Sequence, residues 1–267
     1  MENLFDVTDV SLRFGGVVSL SNVSMFQKRG EILAVIGPNG AGKTSLFNSL
    51  TGVYQPQEGT ILFNPKDKPQ LSIIGKKPFT VSDSGIARTF QASRMFNALT
   101  TFENVKIGAE SHKGIGVLGA MFRGPATRRD EHTSDEHTWS LLEFVGLKDR
   151  ANVIASALSY GERRRLEIAR GLATNPEVLL LDEPAAGTNP SEKNDLAILI
   201  RKVRDEMGVS ILLIEHDMKL VMSLAERLYV LNFGSVIAEG TPDEIRSNQN
   251  VIDAYLGTAS EEETDNA

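Results

Sequence analysis

The 267-residue sequence predicts an α/β fold whose core is interrupted by a mostly helical insertion. Three observations predict it. Short apolar runs of strand length alternate with helical segments in both halves of the chain. One such run, residues 32–36, leads through a glycine-rich turn directly into a helical segment. Between about residues 100 and 155, helical periodicity dominates instead, as in Trp139–Gly146.

The first part of the chain is predicted to form short strands around one helix. Gly52 ends this helix, because glycine readily adopts the left-handed conformation found after a helix. Residues 65–85 are mixed in composition and predict loops. The predicted strands are Val7–Phe14, Val23–Gln27, Ile32–Ile36 and Gly59–Phe63, and the predicted helix is Ser45–Leu50.

After the insertion, the alternation of strands and helices returns. Within the insertion, the glycines and clustered arginines of residues 113–129 predict a flexible or extended stretch. The acidic residues 260–265 predict a disordered tail. The later elements are predicted as helices Glu162–Thr174, Ser191–Met207 and Met218–Ala225, a last helix ending near Leu256, and strands Val178–Leu181, Ile211–Ile214, Tyr229–Leu231 and Val236–Ala238.

Composition excludes several classes of protein. The net charge of −7 and the pI near 5.3 argue against a protein that coats nucleic acid, which would need a basic face. The absence of cysteine excludes disulfides, thiolate nucleophiles and cysteine-ligated metals. No apolar run approaches the ~18–20 residues of a membrane span, and the acidic N-terminus lacks a signal-peptide core. We therefore expect a soluble protein that reaches a membrane only through a partner.

Residues 37–44 match the phosphate-binding pattern G-x-x-x-x-G-K-[ST] without a mismatch, in the strand–loop–helix context that the pattern requires. Such a P-loop turns successive backbone N–H groups around an anion, next to the positive end of a helix. Lys43 is predicted to reach the β- and γ-phosphates, and the Thr44 hydroxyl to ligate Mg²⁺. The alternative is a glycine-rich turn that binds nothing.

Two carboxylates, Asp182 and Glu183, end a strand of buried type. Ligands of open α/β sheets bind at the carboxyl ends of the strands, so Asp182 is predicted to lie beside the P-loop and hold the magnesium shell. Glu183 is placed to polarise an attacking water. The alternative is a strand end with two solvated acids, which the P-loop makes the weaker interpretation. His216 follows a second apolar strand in the same way and could donate to a γ-phosphate.

Ser159 and Glu162 have the S-x-x-E spacing of a capping box at the start of a helix. The same helix start could also face a phosphate, and the two interpretations are compatible. The basic residues 163–165 are interpreted as a solvated helix face. The groups Asp130–His132 and Asp135–His137 could ligate a metal, but a solvated helix start explains them better.

In chain order, the P-loop, Gln91, residues 158–162, Asp182–Glu183 and His216 resemble the ATP-binding subunits of ABC transporters. The resemblance implies a RecA-like P-loop NTPase core with an antiparallel β-subdomain and an inserted helical subdomain. The ABC ATPase domain would span residues 1–257, with the core at about 1–91 and 156–257. The helical insertion would occupy about 92–155 and the acidic, disordered tail 258–267.

The resemblance also implies the roles of single residues. Phe14 would stack on adenine, where the family usually has tyrosine, and Gln91 would reach Mg²⁺ and the lytic water. Glu183 would be the general base, and Lys43 and His216 would stabilise charge on the γ-phosphate. Asp182 would bind Mg²⁺ through water. The phosphates would be wrapped by Gly37, Pro38, Asn39, Gly40, Ala41, Gly42, Lys43, Thr44 and Ser45.

A second subunit is implied as well, because in this family Ser159, Tyr160, Gly161 and Glu162 would contact the nucleotide bound by the opposite ATPase. Residues 185–190 would cross that dimer interface. The sequence departs from the family at four of these positions. Tyr160 replaces a glycine, Glu162 a glutamine, Asn189 a common aspartate and Thr188 a common leucine.

Residues 158–170, 182–190, 214–222 and 251–257 are most similar to the first of the two ATPase subunits of branched-chain amino-acid importers. This resemblance implies ATP and Mg²⁺ as ligands and transmembrane permease subunits as partners, on which the helical insertion would dock. It also implies a second ATPase or another copy as dimer partner, an indirect link to a substrate-binding protein, and no nucleic acid. The chain would sit at the cytoplasmic face of the plasma membrane. An exporter ATPase of the lipopolysaccharide-extraction type and a soluble non-transport ABC ATPase remain as alternatives.

Overall fold

The computed structural model describes residues 3–89, 95–110 and 125–255. The strands are β1 (Asn3–Phe14), β2 (Val17–Lys28), β3 (Ile32–Ile36), β4 (Glu58–Phe63), β5 (Leu71–Ser72), β6 (Ile86–Arg88), β7 (Val178–Asp182), β8 (Ser210–Ile214), β9 (Arg227–Asn232) and β10 (Ser235–Gly240). The helices are α1 (Lys43–Leu50), α2 (Pro78–Asp83), α3 (Thr101–Glu110), α4 (Pro125–Phe144), α5 (Tyr160–Leu172), α6 (Pro190–Met207), α7 (Met218–Leu224) and α8 (Pro242–Arg246). Residues 249–255 are also helical.

A six-stranded sheet in the order β10-β9-β3-β8-β7-β6 forms the centre of the molecule. Its inner strands are parallel, and only the edge strand β10 runs antiparallel to its neighbour. Strands β3, β8 and β7 consist entirely of buried residues, as expected for parallel strands that are covered on both faces.

The side chains of the central strands alternate between two hydrophobic cores, because successive residues of a strand point to opposite faces. Ile32, Ala34 and Ile36 of β3 face one core, which is closed by helices α3 to α7. Leu33 and Val35 face the other, which lies under α1 and the β1–β2–β4 sheet. Two-sided burial therefore explains why the sequence of these strands is apolar at every position rather than at every second one.

A second sheet is antiparallel, with the order β2-β1-β4-β5. Strands β1 and β2 are longer than predicted, because register irregularities break the alternation that would reveal them in the sequence. Asp9 and Asn22 adopt positive φ within these strands, a conformation to which Asp and Asn are better suited than most residues. The predicted α/β core, antiparallel sheet and inserted helices are confirmed.

The structure adds elements to segments predicted as loops. Residues 65–85 contain β5 and α2, and the short strand β6 follows them. Of the stretch 113–129, predicted as flexible or extended, residues 125–129 are instead the beginning of α4, and residues 111–124 lie outside the described residues. The predicted acidic tail also lies outside them. Among the described residues, no helix is both long and apolar enough to cross a membrane.

Arg227 on β9 forms a largely buried ion pair with Glu31 and also contacts β2 of the antiparallel sheet. Its guanidinium bonds both oxygens of Glu31, at 2.8 and 3.0 Å, and the Glu239 carboxylate at 2.5 Å. It also stacks on the Phe26 ring, 3.9 Å from the centroid. Burial alone would lower the pKa of Arg227, but the two carboxylates outweigh burial and raise it.

We expect Arg227→Met to lower the free energy of unfolding by about 3 kcal/mol, because it leaves the carboxylate of Glu31 buried without its cation. Urea unfolding measures this change. Arg13→Met is the control, since its pair with Glu58 is about half exposed and should contribute less than ~1 kcal/mol. Equal losses in the two variants would contradict a structural role for the buried pair.

Candidate nucleotide site

The P-loop follows β3 and wraps the N-terminus of α1. Gly37, Gly40 and Gly42 all have positive φ. A Cβ on Gly37 would lie 2.1 Å from the Leu231 carbonyl oxygen, and one on Gly42 would lie 2.6 Å from that of Ser19. Only glycine therefore fits at these two positions. No side chain caps the start of α1, so its first N–H groups are available to an anion.

Lys43 folds back onto its own loop, where its Nζ donates to the carbonyl oxygens of Gly37 at 2.7 Å and Pro38 at 2.9 Å. Burial lowers the pKa of Lys43, and the nearby charges of Glu183 and Asp182 offset this only in part. The charges of both carboxylates act on this ammonium, in keeping with the register that brings the end of β7 to the same edge of the sheet as the P-loop.

Asp182 is held by Arg88, a residue that the sequence analysis did not single out. The buried guanidinium donates to Asp182 Oδ2 at 2.7 Å and to Asn48 Oδ1 on α1 at 2.6 Å. It also lies over the ring of Phe47. Arg88 thus ties β6, β7 and α1 together behind the site. An arginine at the end of a short apolar strand could have indicated this buried ion pair in the sequence. The pair was missed because β6 itself was not predicted.

Glu183 directly follows β7 and adopts φ of +48°. Its N–H donates to the carbonyl oxygen of Ile214 at 2.9 Å, which extends the pairing of β7 with β8 by one bond. His216 lies opposite, with Nδ1 4.0 Å from Glu183 Oε2. A non-glycine residue in the left-handed region is strained, so the surrounding structure must hold Glu183 in place.

Glu215 supplies part of this support and was also not predicted. Its carboxylate is fully buried and accepts backbone N–H bonds from Ala185 at 2.7 Å, His216 at 3.0 Å and Asp217 at 3.3 Å. One side chain therefore fixes the segment after Glu183 and the segment that carries His216. The exposed imidazole of His216 lies 3.7 Å from the same carboxylate.

The oxygen ligands at this edge suit a magnesium ion. Thr44 lies exposed in the first turn of α1, and the carboxylate of Asp182 is oriented by Arg88. Hydroxyl and carboxylate oxygens are the ligands that Mg²⁺ prefers, so the residues fit the ion. Gln91, the third predicted ligand, lies outside the described residues.

Phe14 ends β1 with about half of its side chain exposed, and its ring meets the edge of Tyr54 at a centroid distance of 5.0 Å. This leaves ring surface open for stacking, as the adenine prediction requires. Ser45 is held by a 2.7 Å hydrogen bond between its hydroxyl and that of Ser19 on β2. The antiparallel sheet therefore supports the P-loop from the side.

The capping box at the start of α5 is present as predicted. Ser159 Oγ accepts from the Glu162 N–H, and Glu162 accepts from the Ser159 N–H at 2.8 Å. Arg150 adds a 2.9 Å bond to the Glu162 carboxylate. In the described part of the chain, these bonds run among the three residues and not to the P-loop, which leaves the exposed helix start available to another molecule.

Two close contacts join the start of α5 to the loop before α6. A Cβ on Gly187 would lie 3.1 Å from the Tyr160 ring, and a Cβ on Gly161 would lie 2.7 Å from Glu192 Oε1. Asn189, one of the departures from the family pattern, forms a second capping box with Glu192. Tyr160, another departure, accepts a 2.6 Å bond from Arg164.

The histidine-containing acidic groups on α4 do not form a metal site among the described residues. His132 pairs with Glu136, and Asp135 pairs with Lys106 on α3 at 2.7 Å. Burial lowers the pKa of His137. The prediction that these residues start a helix is wrong, because the helix begins at Pro125 and they lie in its interior.

Comparison with known proteins identifies two family models. One, described as ABC transporter, matches residues 20–186, and the other, described as branched-chain amino acid ATP-binding cassette transporter, matches residues 235–261. The first covers more than half of the chain and includes the P-loop, the capped start of α5 and both carboxylates after β7.

Curated relatives match almost the whole chain. The high-affinity branched-chain amino acid transport ATP-binding protein BraF of Pseudomonas aeruginosa is 44% identical over 96% of this chain and 98% of its own length. The similarly named LivG of Escherichia coli K12 has the same identity and coverage. A probable LivG of Archaeoglobus fulgidus is 34% identical over 97% of both chains.

Solved structures share the fold at similar coverage. An ATP-binding cassette of an ABC transporter in its ADP conformation has a TM-score of 0.82 and 31% identity, covering 96% of this chain and all of that one. A nucleotide-free cassette has a TM-score of 0.81, also with 31% identity, and covers 95% of this chain and 99% of that one.

We expect Glu162→Gln to lower the free energy of unfolding by ~0.5–1 kcal/mol at neutral pH. The Ser159 N–H, assisted by Arg150, lowers the pKa of Glu162 in the folded chain below its ordinary 4.5. A lowered pKa stabilises the fold above the ordinary value, and this contribution is lost as the pH falls through the folded value. The difference between variant and wild type should therefore shrink below pH 4.5 in urea unfolding.

The control is Glu143→Gln, which removes an exposed carboxylate paired with Lys148 and should change stability by less than ~0.5 kcal/mol at any pH. A loss for Glu162→Gln that stays constant as the pH falls would contradict the assignment to the charged carboxylate.

Proposed function

The chain belongs to the ABC transporter ATP-binding family, and from this premise we propose that it hydrolyses ATP to power an importer of branched-chain amino acids. The observation that carries the proposal is the register of the parallel sheet, in which β3 leads into the P-loop and β7 ends at Asp182 on the same edge. An uncapped helix start, a partly buried ammonium and two carboxylates are the groups that phosphoryl transfer requires.

Some residues of the chain bind the nucleotide and others take part in the hydrolysis of its γ-phosphate. The N–H groups of residues 40–45 and the Lys43 ammonium bind the phosphates, with Lys43 leaving the Gly37 and Pro38 carbonyls to do so. Phe14 stacks on the base. Thr44 and Asp182, with Gln91, would hold Mg²⁺, which would neutralise charge on the phosphates. Arg88 orients Asp182, because it fixes one carboxylate oxygen.

Glu183 is proposed as the general base for the attacking water. Its left-handed backbone turns it away from the path of β7, and its side chain is largely but not fully buried. His216 stands within 4.0 Å of the carboxylate and is mostly exposed, so it can also reach a γ-phosphate. Lys43 and His216 then stabilise the charge that develops during transfer.

The capped start of α5 is proposed to complete the site of a second subunit. Its exposed N-terminus offers N–H groups to a phosphate, and about 43% of the Tyr160 side chain remains accessible. Closing the two subunits over the nucleotide excludes water and assembles the catalytic groups. The chain alone should therefore bind ATP but hydrolyse it well only when it is paired, with a second ATPase or another copy.

We infer the transported substrate and the partner subunits from the names of the curated relatives. BraF and both LivG proteins are named for branched-chain amino acid transport, which does not favour the exporter and non-transport alternatives. Transmembrane permease subunits would carry the substrate and would hold this chain at the cytoplasmic face of the membrane. A substrate-binding protein would act on the far side, without touching this chain.

We expect Glu183→Gln to bind MgATP with near wild-type affinity but to lower the hydrolysis rate at least ~100-fold, because the amide cannot accept the proton of water. Calorimetric binding and phosphate release measure the two quantities. Glu206→Gln, on the surface of α6, is the control and should leave both unchanged. Hydrolysis by Glu183→Gln at the wild-type rate would refute the assignment of the base.

Uptake into vesicles tests the cargo. The chain is reconstituted with permease subunits, a second ATPase and a binding protein from the same organism, and leucine, isoleucine, valine and several polar amino acids are offered with ATP. We expect uptake of the branched-chain amino acids alone, and its loss with Lys43→Ala. ATP-driven uptake of only polar amino acids would overturn the proposed cargo, and no stimulation by any amino acid would overturn the importer.

A further inference from the structure

A fully buried carboxylate that takes no part in the proposed chemistry lies between the segment after Glu183 and the segment of His216. Glu215 immediately precedes His216, and none of its side chain is exposed. Its Oε1 accepts from the Ala185 N–H at 2.7 Å, whereas its Oε2 accepts from the N–H groups of His216 and Asp217 at 3.0 and 3.3 Å. The two oxygens of one carboxylate therefore serve two different segments of the chain.

The bond to Ala185 fixes a tight turn at residues 185–188. The Ala185 carbonyl oxygen accepts from the Thr188 N–H at 3.2 Å and from the Thr188 hydroxyl at 2.7 Å. Gly187, inside the turn, lies against the start of α5, where a Cβ on it would come 3.1 Å from the Tyr160 ring. The turn therefore connects Glu215 to the surface that is proposed to complete the site of a second subunit.

On the other side of Glu215, the position of His216 depends on its backbone. The imidazole is 64% exposed, and its Nδ1 lies 3.7 Å from Glu215 Oε2 and 4.0 Å from Glu183 Oε2. Both distances are too long for hydrogen bonds, so these two contacts do not hold the ring. The bonds from the N–H groups of His216 and Asp217 to Glu215 instead fix the backbone that carries the imidazole.

A salt bridge adds a second connection between the same two parts of the chain. Lys193, in the first turn of α6, donates to Asp217 Oδ2 at 2.5 Å, and Asp217 Oδ1 caps α7 by accepting from the Leu220 N–H at 3.1 Å. The Lys193 ammonium, with the Leu220 N–H, lowers the pKa of Asp217, so this carboxylate is charged at neutral pH. The helix that follows the turn is thus joined to the helix that follows the histidine.

We propose that Glu215 is a positioning residue for ATP hydrolysis, whose carboxylate makes the turn at residues 185–188 and the segment of His216 move as one unit. The inference rests on the proposed nucleotide site and on the proposed role of the start of α5. It adds that a second subunit closing against this surface sets the γ-phosphate histidine of the same chain. Because Glu215 is fully buried, it acts only through the N–H groups that it binds.

Glu215→Gln in the full-length chain tests the proposal, because it keeps the shape of the side chain and removes one acceptor. The single carbonyl oxygen can keep either the bond to Ala185 or those to His216 and Asp217, and the NH₂ group then faces the other donors. We expect kcat for ATP in the reconstituted transporter to fall about tenfold, as for the loss of one hydrogen bond to a charged group. The dissociation constant for MgATP, measured by calorimetry, should stay within about twofold of wild type, since the P-loop is untouched.

Hydrogen exchange measures the link itself. When a non-hydrolysable MgATP analogue closes the wild-type transporter, the amides of residues 185–188 and 216–217 should become protected together. In Glu215→Gln, this protection should be lost in whichever segment the glutamine oxygen no longer binds. A residue that only satisfied buried N–H groups would leave the joint protection in place.

Glu31→Gln is the matched control. Glu31 is also a buried carboxylate that accepts a backbone N–H, that of Lys28 at 2.7 Å, but it precedes β3 and so lies at the other end of this strand from the P-loop. This variant should lower resistance to urea and leave kcat unchanged. Should Glu215→Gln not fold, Lys193→Met decides, because it breaks only the partly exposed salt bridge and should lower kcat roughly two- to threefold.

Two results would overturn the proposal. One is a kcat loss in Glu215→Gln no larger than in Glu31→Gln, which would make Glu215 an ordinary contributor to stability. The other is joint protection of residues 185–188 and 216–217 that survives in Glu215→Gln. If the wild-type transporter did not hydrolyse ATP, the proposed function would be wrong, whereas the exchange of the two segments would still decide whether Glu215 joins them.

Discussion

The parallel register of three central strands determines where the P-loop, Glu183 and His216 lie. Val35 of β3 is level with Ile214 of β8, and Ile214 is level with Asp182 of β7. The chain leaves the sheet at this one edge three times and delivers the P-loop, Glu183 and His216 next to one another. A shift of one residue in any of these pairings would turn the side chains of that strand to the wrong core.

The buried polar residues behind this edge keep it in shape. Arg88 neutralises Asp182 and connects it to α1, while Glu215 collects the N–H groups of the two segments that follow β7 and β8. Each would be costly to bury alone, and each is supplied with partners. The cost of placing charges in the interior is thus offset by hydrogen bonds that also position Asp182, Glu183 and His216.

The sequence was sufficient for the fold class and for most of the site, because these depend on local patterns. The P-loop needs only the spacing of glycines before Lys43 and Thr44, and the strands before Asp182 and Glu215 are continuous apolar runs. Arg88 and Glu215 could not be predicted, since each acts through a partner that is distant in sequence. The lengths of β1 and β2 were missed because register irregularities hide their periodicity.

The contact between α5 and α6 restricts which substitutions the sequence accepts at residue 161. The carboxylate of Glu192 caps its own helix and also closes the space beside Gly161. A larger residue at 161 would push the Glu192 carboxylate aside and so weaken the capping box that it forms with Asn189. A substitution at the start of α5 would therefore also be felt at the start of α6, and a later change at residue 192 could compensate for it.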